Sequence, residues 1–196
     1  MGGIRGVLHY MQRVAVQGSP DTLTSVSGRW LRGSRLRDPG RHPFRIPFNE
    51  LQLGDTLQSR EREVTIADIE QFAALTGDNF YAHMSETEAA RNPLFGGRVA
   101  HGYFLISAAA GLFVDPDYGP VLGNYGIDEL RFVKPVKPGD LIKVRLTCHA
   151  KSLRAERGWG EVAWDTEITN QSNETVASYK VLTMVSIHAL PDSIKN

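Results

Sequence analysis

The sequence predicts an α+β domain in which a curled antiparallel sheet wraps one buried helix. Three observations carry this reading. Residues 102–113 are apolar nearly all round, so a helix made from them would present no wet face and needs material on every side. The chain after that helix changes to Val, Ile, Thr and aromatic residues in four runs separated by turn residues, the signature of antiparallel strands. Helical patterns come before the strands rather than alternating with them, which argues against a βαβ sheet.

Taken in order, residues 1–47 read as an irregular extension or linker. They hold seven of the glycines and four of the prolines, which raise the cost of any regular element, and only 8–16 could form a strand or helical turn. Eight Arg and no Lys stand there against Asp21 and Asp38, so this piece carries +6 and the remainder −6. Residues 53–64 offer one further strand. Thr65-Ile66-Ala67-Asp68 has the spacing of a capping box, and Ile66, Ile69, Phe72 and Ala73 share a helical face that Gly77 stops. A short helix over 86–91 ends at Asn92-Pro93. The four strands are expected at 125–133, 141–150, 161–169 and 176–187. Curled around the 102–113 helix, they make the arrangement called a hotdog fold, placed at 48–190 with a tail at 191–196.

Composition excludes several classes of function. At 196 residues, 41% hydrophobic and 22% charged, the chain can bury a core of one domain. Lys+Arg and Asp+Glu are both 22, which leaves no basic surplus for phosphate neutralisation and argues against a nucleic-acid partner. The single cysteine, Cys148, cannot form an intrachain disulfide, and a cytoplasmic setting is the default reading. No apolar run reaches the ~18 residues a membrane crossing needs, so no membrane partner is expected.

Chemistry concentrates in two places. Asp78 and His83 follow the Gly77 stop; on a continuing helix they would stand about 140° apart and diverge, so they converge only if Gly77 turns the chain into a loop. Two readings stand: Asp78 caps a turn and His83 is an interior histidine, or the two form a carboxylate–imidazole acid/base pair. Gly102 opens the apolar helix, whose first amides lack partners and can hold an oxygen that gains negative charge. The competing reading of Gly102 is steric, allowing packing alone. His101 reads as structural, bonding a nearby carbonyl. A metal is not expected, because the spacing of a zinc or di-metal site is absent, and no cofactor loop is visible. Arg131, Lys134, Lys137 and Lys143 could meet phosphates or could be solvated surface.

Gly77-Asp78-(four residues)-His83, then Phe95-Gly96 with Val99-Ala100-His101-Gly102, then Phe132 with Pro135-Val136 and Pro138-Gly139-Asp140 resemble, in that order, the MaoC-like (R)-specific enoyl-CoA hydratase family. The similarity covers about 48–189. It implies that Asp78 and His83 hold and deprotonate the attacking water, that the Gly102 amide takes the thioester oxygen, and that Phe80, Tyr81, His101 and Tyr103 line the substrate pocket. Burial beside Phe80 and Tyr81 would then raise the Asp78 carboxyl toward neutrality. The substrate would be an acyl-CoA, with CoA its only cofactor-like part, and the protein a homodimer or larger homo-oligomer. The sequence departs from the family where Asn-Pro commonly stands, with Phe80-Tyr81 in those places. Residues 78–83, 101–115, 119–121 and 182–185 are similar to the oxepin-CoA hydrolase branch, in which an aldehyde dehydrogenase acts on the product. Residues 1–33 resemble the end of such a dehydrogenase, although no nucleophilic cysteine or nucleotide loop of one is present. A straight-chain 2-enoyl-CoA hydratase, a thioesterase and a non-catalytic acyl-thioester binding domain are the alternatives.

Overall fold

The computed structural model describes residues 35–189; the expected element at 8–16, most of the N-terminal extension and the 191–196 tail lie outside them. Six strands form one antiparallel system: β1 (Thr56–Gln58), β2 (Arg62–Glu63), β3 (Val121–Phe132), β4 (Leu141–Arg154), β5 (Trp159–Thr169) and β6 (Thr175–Ser186). The sheet runs β1-β4-β5-β6-β3, with β2 also on β4. Four helices precede the long strands: α1 (Ile66–Thr76), α2 (Tyr81–Met84), α3 (Glu86–Arg91) and α4 (Gly102–Phe113). This is the expected α+β hotdog arrangement.

Local sequence explains most boundaries. The Thr65 hydroxyl accepts from the Asp68 amide and the Asp68 carboxylate accepts from the Thr65 amide, closing the capping box that starts α1. Gly77, at φ 78°, ends it in the left-handed conformation and donates to the Ala73 carbonyl. β3 begins four residues earlier than expected, because Gly123 and Gly126 pair with Met184 and Leu182 instead of breaking the strand. β4 and β5 extend to a tight hairpin, with Arg154 opposite Trp159 and Gly158 at φ 73°. The single strand expected at 53–64 is two short pieces on β4.

Two features of the packing go beyond the expected arrangement. The core reaches back before residue 48, since Phe44 and Ile46 are buried with Phe48 and Leu51. The Phe44 ring meets Phe113 at 6.0 Å and Trp164 at 5.2 Å, and Arg45 grips Asp115 through two 2.6 Å hydrogen bonds. That pairing holds the Asp115 carboxyl below its ordinary range. Few apolar residues among Arg, Gly and Pro carry this packing, which is why composition hides it. Secondly, α4 is not enclosed on all sides. Phe104, Leu105, Ala108, Ala109 and Phe113 are buried, but Tyr103, Ser107, Ala110 and Gly111 form an exposed stripe. One sheet covers one side of a helix, and the other side of α4 is open in the single chain.

The core is the α4 underside packed on the inner faces of β4, β5 and β6, closed at one end by the Phe44–Leu51 segment. Trp164, fully buried, donates its indole N–H to the Thr183 hydroxyl at 2.8 Å, so its one polar group is satisfied. Cys148 is also buried, which pushes its thiol up to about 12 and leaves it inert as a nucleophile. No helix among the described residues is long and apolar enough to cross a membrane.

Candidate active site

Gly77 turns the chain out of α1, and Asp78 follows as the first loop residue. Among the described residues its carboxylate accepts only a long 3.4 Å hydrogen bond, from the Phe80 amide, which leaves most of its acceptor capacity unused. The next residues were expected to be loop, but Tyr81–Met84 form one helical turn, which is too short for periodicity to reveal. This turn carries His83 back toward Asp78. Among the described residues, Asp78, His83 and His101 each place a ligating atom within 4.8 Å of the others. Two ordinary hydrogen bonds to one water reach across about 5 Å, so a ligating atom of Asp78 and one of His83 are close enough for a single water to meet both.

Hydrogen bonding sets the tautomer of each imidazole. His83 Nδ1 lies 2.8 Å from the Val99 carbonyl, so Nδ1 carries the hydrogen and Nε2 is left as an acceptor. Burial holds the His83 imidazole below its ordinary pKa of 6.5; the Val99 bond opposes this, His101 adds to it and Asp78 opposes it. The ring of His101 stacks on His83 at 3.8 Å and 30°.

Three stretches far apart in sequence meet here. The Val99 amide donates to Ala82, and the Ala100 amide donates to Val136 at 2.8 Å. Glu86 accepts from the Arg98 amide, while Arg98 Nε donates to the His83 carbonyl at 2.9 Å. Val99, Arg98 and Glu86 were given no role at the site from sequence. Each contact has a backbone group as one partner, which leaves no residue-type signature at that end.

The remaining candidates occupy distinct positions. Gly102 is the first residue of α4, and no side chain caps that helix end, so its first amides are available to a ligand. What crowds the glycine is Phe132: a Cβ there would come within 2.5 Å of the ring. Phe132 was part of a quoted motif without a role, and it walls the amide. His101 is 1% exposed, with Nε2 2.9 Å from the Asp78 carbonyl. The bond to a nearby carbonyl matches the structural reading of that residue. Phe80 is 50% exposed, Tyr81 40% and Tyr103 67%. Phe80 and Tyr81 pack on each other at 4.5 Å, and the Tyr81 hydroxyl accepts from Asn92. The cover over Asp78 expected from these two rings is therefore not made by the single chain.

The candidate phosphate cations are engaged elsewhere. Lys134 pairs with Glu174, Lys143 with Glu61, and Arg131 donates to the Leu130 carbonyl. Lys137 donates to the Gly96 carbonyl. A cavity of about 260 Å³ lies toward the other end of α4, lined by Phe44, Phe113, Asp115, Asn124 and Val181 among others.

Comparison with known proteins agrees with this architecture. A family described as MaoC like domain matches residues 49–170. The chain is 55% identical over 163 residues to Protein MaoC of Klebsiella aerogenes, covering 83% of this chain and 48% of that one. It is 39% identical over 102 residues to the 3-hydroxybutyryl-CoA dehydratase of Methylorubrum extorquens, 50% of this chain and 61% of that one. The chain thus spans about half the length of the curated relatives it matches. Among solved structures it is similar to the unliganded R-hydratase of Pseudomonas aeruginosa, with TM-score 0.59, 31% identity and coverage of 74% of this chain and 89% of that one. A Mycobacterium tuberculosis protein with a double hotdog fold shares the fold at TM-score 0.63 and 17% identity, across 75% of this chain and 45% of its own.

Proposed function

Because the chain belongs to the MaoC-like dehydratase family, we propose that it adds water to the double bond of an unsaturated acyl-CoA, with oxepin-CoA ring opening as its particular reaction. The observation that carries the hydration reading is that Asp78 and His83 each offer a ligating atom within 4.8 Å of the other, with His101, which precedes a helix end that no side chain caps, in the same cluster. Asp78 takes a proton from water as its oxygen bonds to the activated carbon, and His83 Nε2 accepts the second hydrogen and orients the molecule. The thioester oxygen gains negative charge as the enolate forms, and the Gly102 amide holds it. Asp78 returns the proton to carbon. On the cyclic enol ether the attacked β-carbon also bears the ring oxygen, so the adduct's ring C–O bond breaks to leave the 3-ketone, and the ring oxygen departs as an enol that takes a proton on carbon to become the aldehyde of a 3-oxo-5,6-dehydrosuberyl-CoA semialdehyde. No resident cofactor takes part in these steps.

The open stripe on α4 and the exposed Phe80, Tyr81 and Phe132 support a homodimer or larger homo-oligomer, in which a second copy would supply the missing cover. The oxepin substrate rests on the resemblance of residues 78–83 and 101–115 and on Phe80-Tyr81 standing where Asn-Pro is usual. An aldehyde dehydrogenase consuming the product belongs to the same reading. A second reading, hydration of straight-chain 2-enoyl-CoA, is favoured by the 39% identity to a 3-hydroxybutyryl-CoA dehydratase. Rates on oxepin-CoA and crotonyl-CoA, with ring opening followed by mass, separate them. A kcat/KM at least about tenfold higher on oxepin-CoA is expected, and a preference for crotonyl-CoA would overturn the ring-opening assignment.

The depressed proton affinity of His83 also fixes a pH dependence. A neutral imidazole accepts at Nε2 and a protonated one does not, so activity is retained at neutrality and lost as pH falls through the lowered pKa. The acid limb of kcat/KM should have its midpoint below 6.5. A midpoint above that value, from rates between pH 4.5 and 8, would remove His83 from the accepting role.

A further inference from the structure

His101 is the member of the histidine–carboxylate trio that the hydration steps leave unused, and it is the most enclosed of the three. Its ring lies against Phe72 at 5.1 Å as well as against His83 at 3.8 Å. Its Nε2 must carry the hydrogen, because the partner is the Asp78 carbonyl oxygen. Its Nδ1 is buried without a hydrogen-bond partner among the described residues, so the side chain gives up one hydrogen bond to keep this orientation.

We propose that His101 is a positioning residue for the hydration, holding Asp78 through its backbone and His83 through ring contact so that both face one water. Asp78 needs such a hold. It follows a left-handed glycine, its amide makes only a 3.3 Å contact with the Thr76 hydroxyl, and its carboxylate only the long bond from Phe80. The bond from His101 is the shortest one made to this residue by a side chain. His101 also begins α4, its carbonyl accepting from the Leu105 amide. One rigid imidazole therefore ties the Asp78 loop and the His83 turn to the helix end that carries Gly102. A displacement of about 1 Å among such groups costs on the order of 100-fold in rate, which is the scale of effect this hold controls.

The role rests on the hydration reading above, and its test separates the two. In the full chain, His101→Phe keeps a ring beside His83 but removes the donor to Asp78. His101→Gln keeps an N–H near the position of Nε2 and removes the ring. Expected on an enoyl-CoA that the wild type turns over is a kcat lower by about 100-fold for Phe and about tenfold for Gln, with KM within about threefold and thermal midpoints showing both variants folded. His83 gives a readout independent of turnover. The charged or titratable groups facing it are Asp78, His101 and the Arg98 guanidinium at its carbonyl. With the His101 imidazole gone, the His83 ring signals in NMR and the acid limb of kcat/KM should both move to higher pH. Folded variants with kcat within twofold of wild type and an unmoved His83 titration would overturn the role. So would a loss of activity that merely tracks a loss of folded protein. A wild-type chain that hydrates no enoyl thioester would sink the hydration reading, and the positioning role with it.

Discussion

Replacing Asp78 by Asn is expected to lower kcat/KM for hydration by about 10³-fold to 10⁴-fold, the upper part of the range for losing a positioned general base. The thermal midpoint should barely move. Those two outcomes separate because the Asp78 side chain contributes little to the fold: its one hydrogen bond is the 3.4 Å contact with the Phe80 amide, and an amide oxygen can still accept it. The tie to His101 runs through the Asp78 backbone carbonyl and survives the change. A surface substitution of this kind shifts stability by less than about 0.5 kcal/mol. The variant also removes a negative charge that raises the proton affinity of His83. Any residual activity should therefore show an acid limb at lower pH than the wild type. Rates by loss of the enoyl-thioester absorbance, alongside thermal melts, check both points, and a folded Asn variant with near-normal turnover ends the general-base assignment.

How much of this arrangement could be read from the residues depended on whether the physics was local. α1 was legible at both ends because the Thr65–Asp68 box and Gly77 act within a few residues. The end of α3 was legible through Asn92-Pro93, and the extent of α4 through its unbroken apolar run. The open face of α4 was not. An all-round apolar helix says that cover is needed but not which molecule supplies it. Phe44 and Ile46 escaped notice because two buried side chains in an Arg-, Gly- and Pro-rich stretch produce no periodic pattern. At the site, the types and spacing of Asp78 and His83 were visible while their convergence depended on α2. The clamps that seat them, Val99 on His83 and Val136 on Ala100, use carbonyl oxygens that every residue possesses. Phe132 shows the same limit, since its place against Gly102 follows from where β3 ends beside α4.

Gly102→Ala carries the second large effect, and paired with Phe132→Ala it decides between the two readings of that glycine. The new Cβ would meet three ring atoms of Phe132 at 2.5, 2.7 and 2.9 Å, separations that force the ring to move. Overpacking costs about 1–3 kcal/mol, while Gly→Ala within a helix returns at most about 1 kcal/mol. The single variant should therefore be destabilised on balance, and its hydration rate should fall by about 100-fold, as when an oxyanion contact is lost. Trimming Phe132 removes the clash at modest cost, because that ring is already 49% exposed. If Gly102 serves packing alone, the double variant regains stability and turnover together. If the helix-end amide takes the thioester oxygen, stability returns but turnover remains at least about tenfold below the Phe132→Ala control, since the methyl group still crowds the amide that receives the oxygen. Full recovery of rate in the double variant would therefore move the oxyanion site away from Gly102, whatever Asp78 and His83 do.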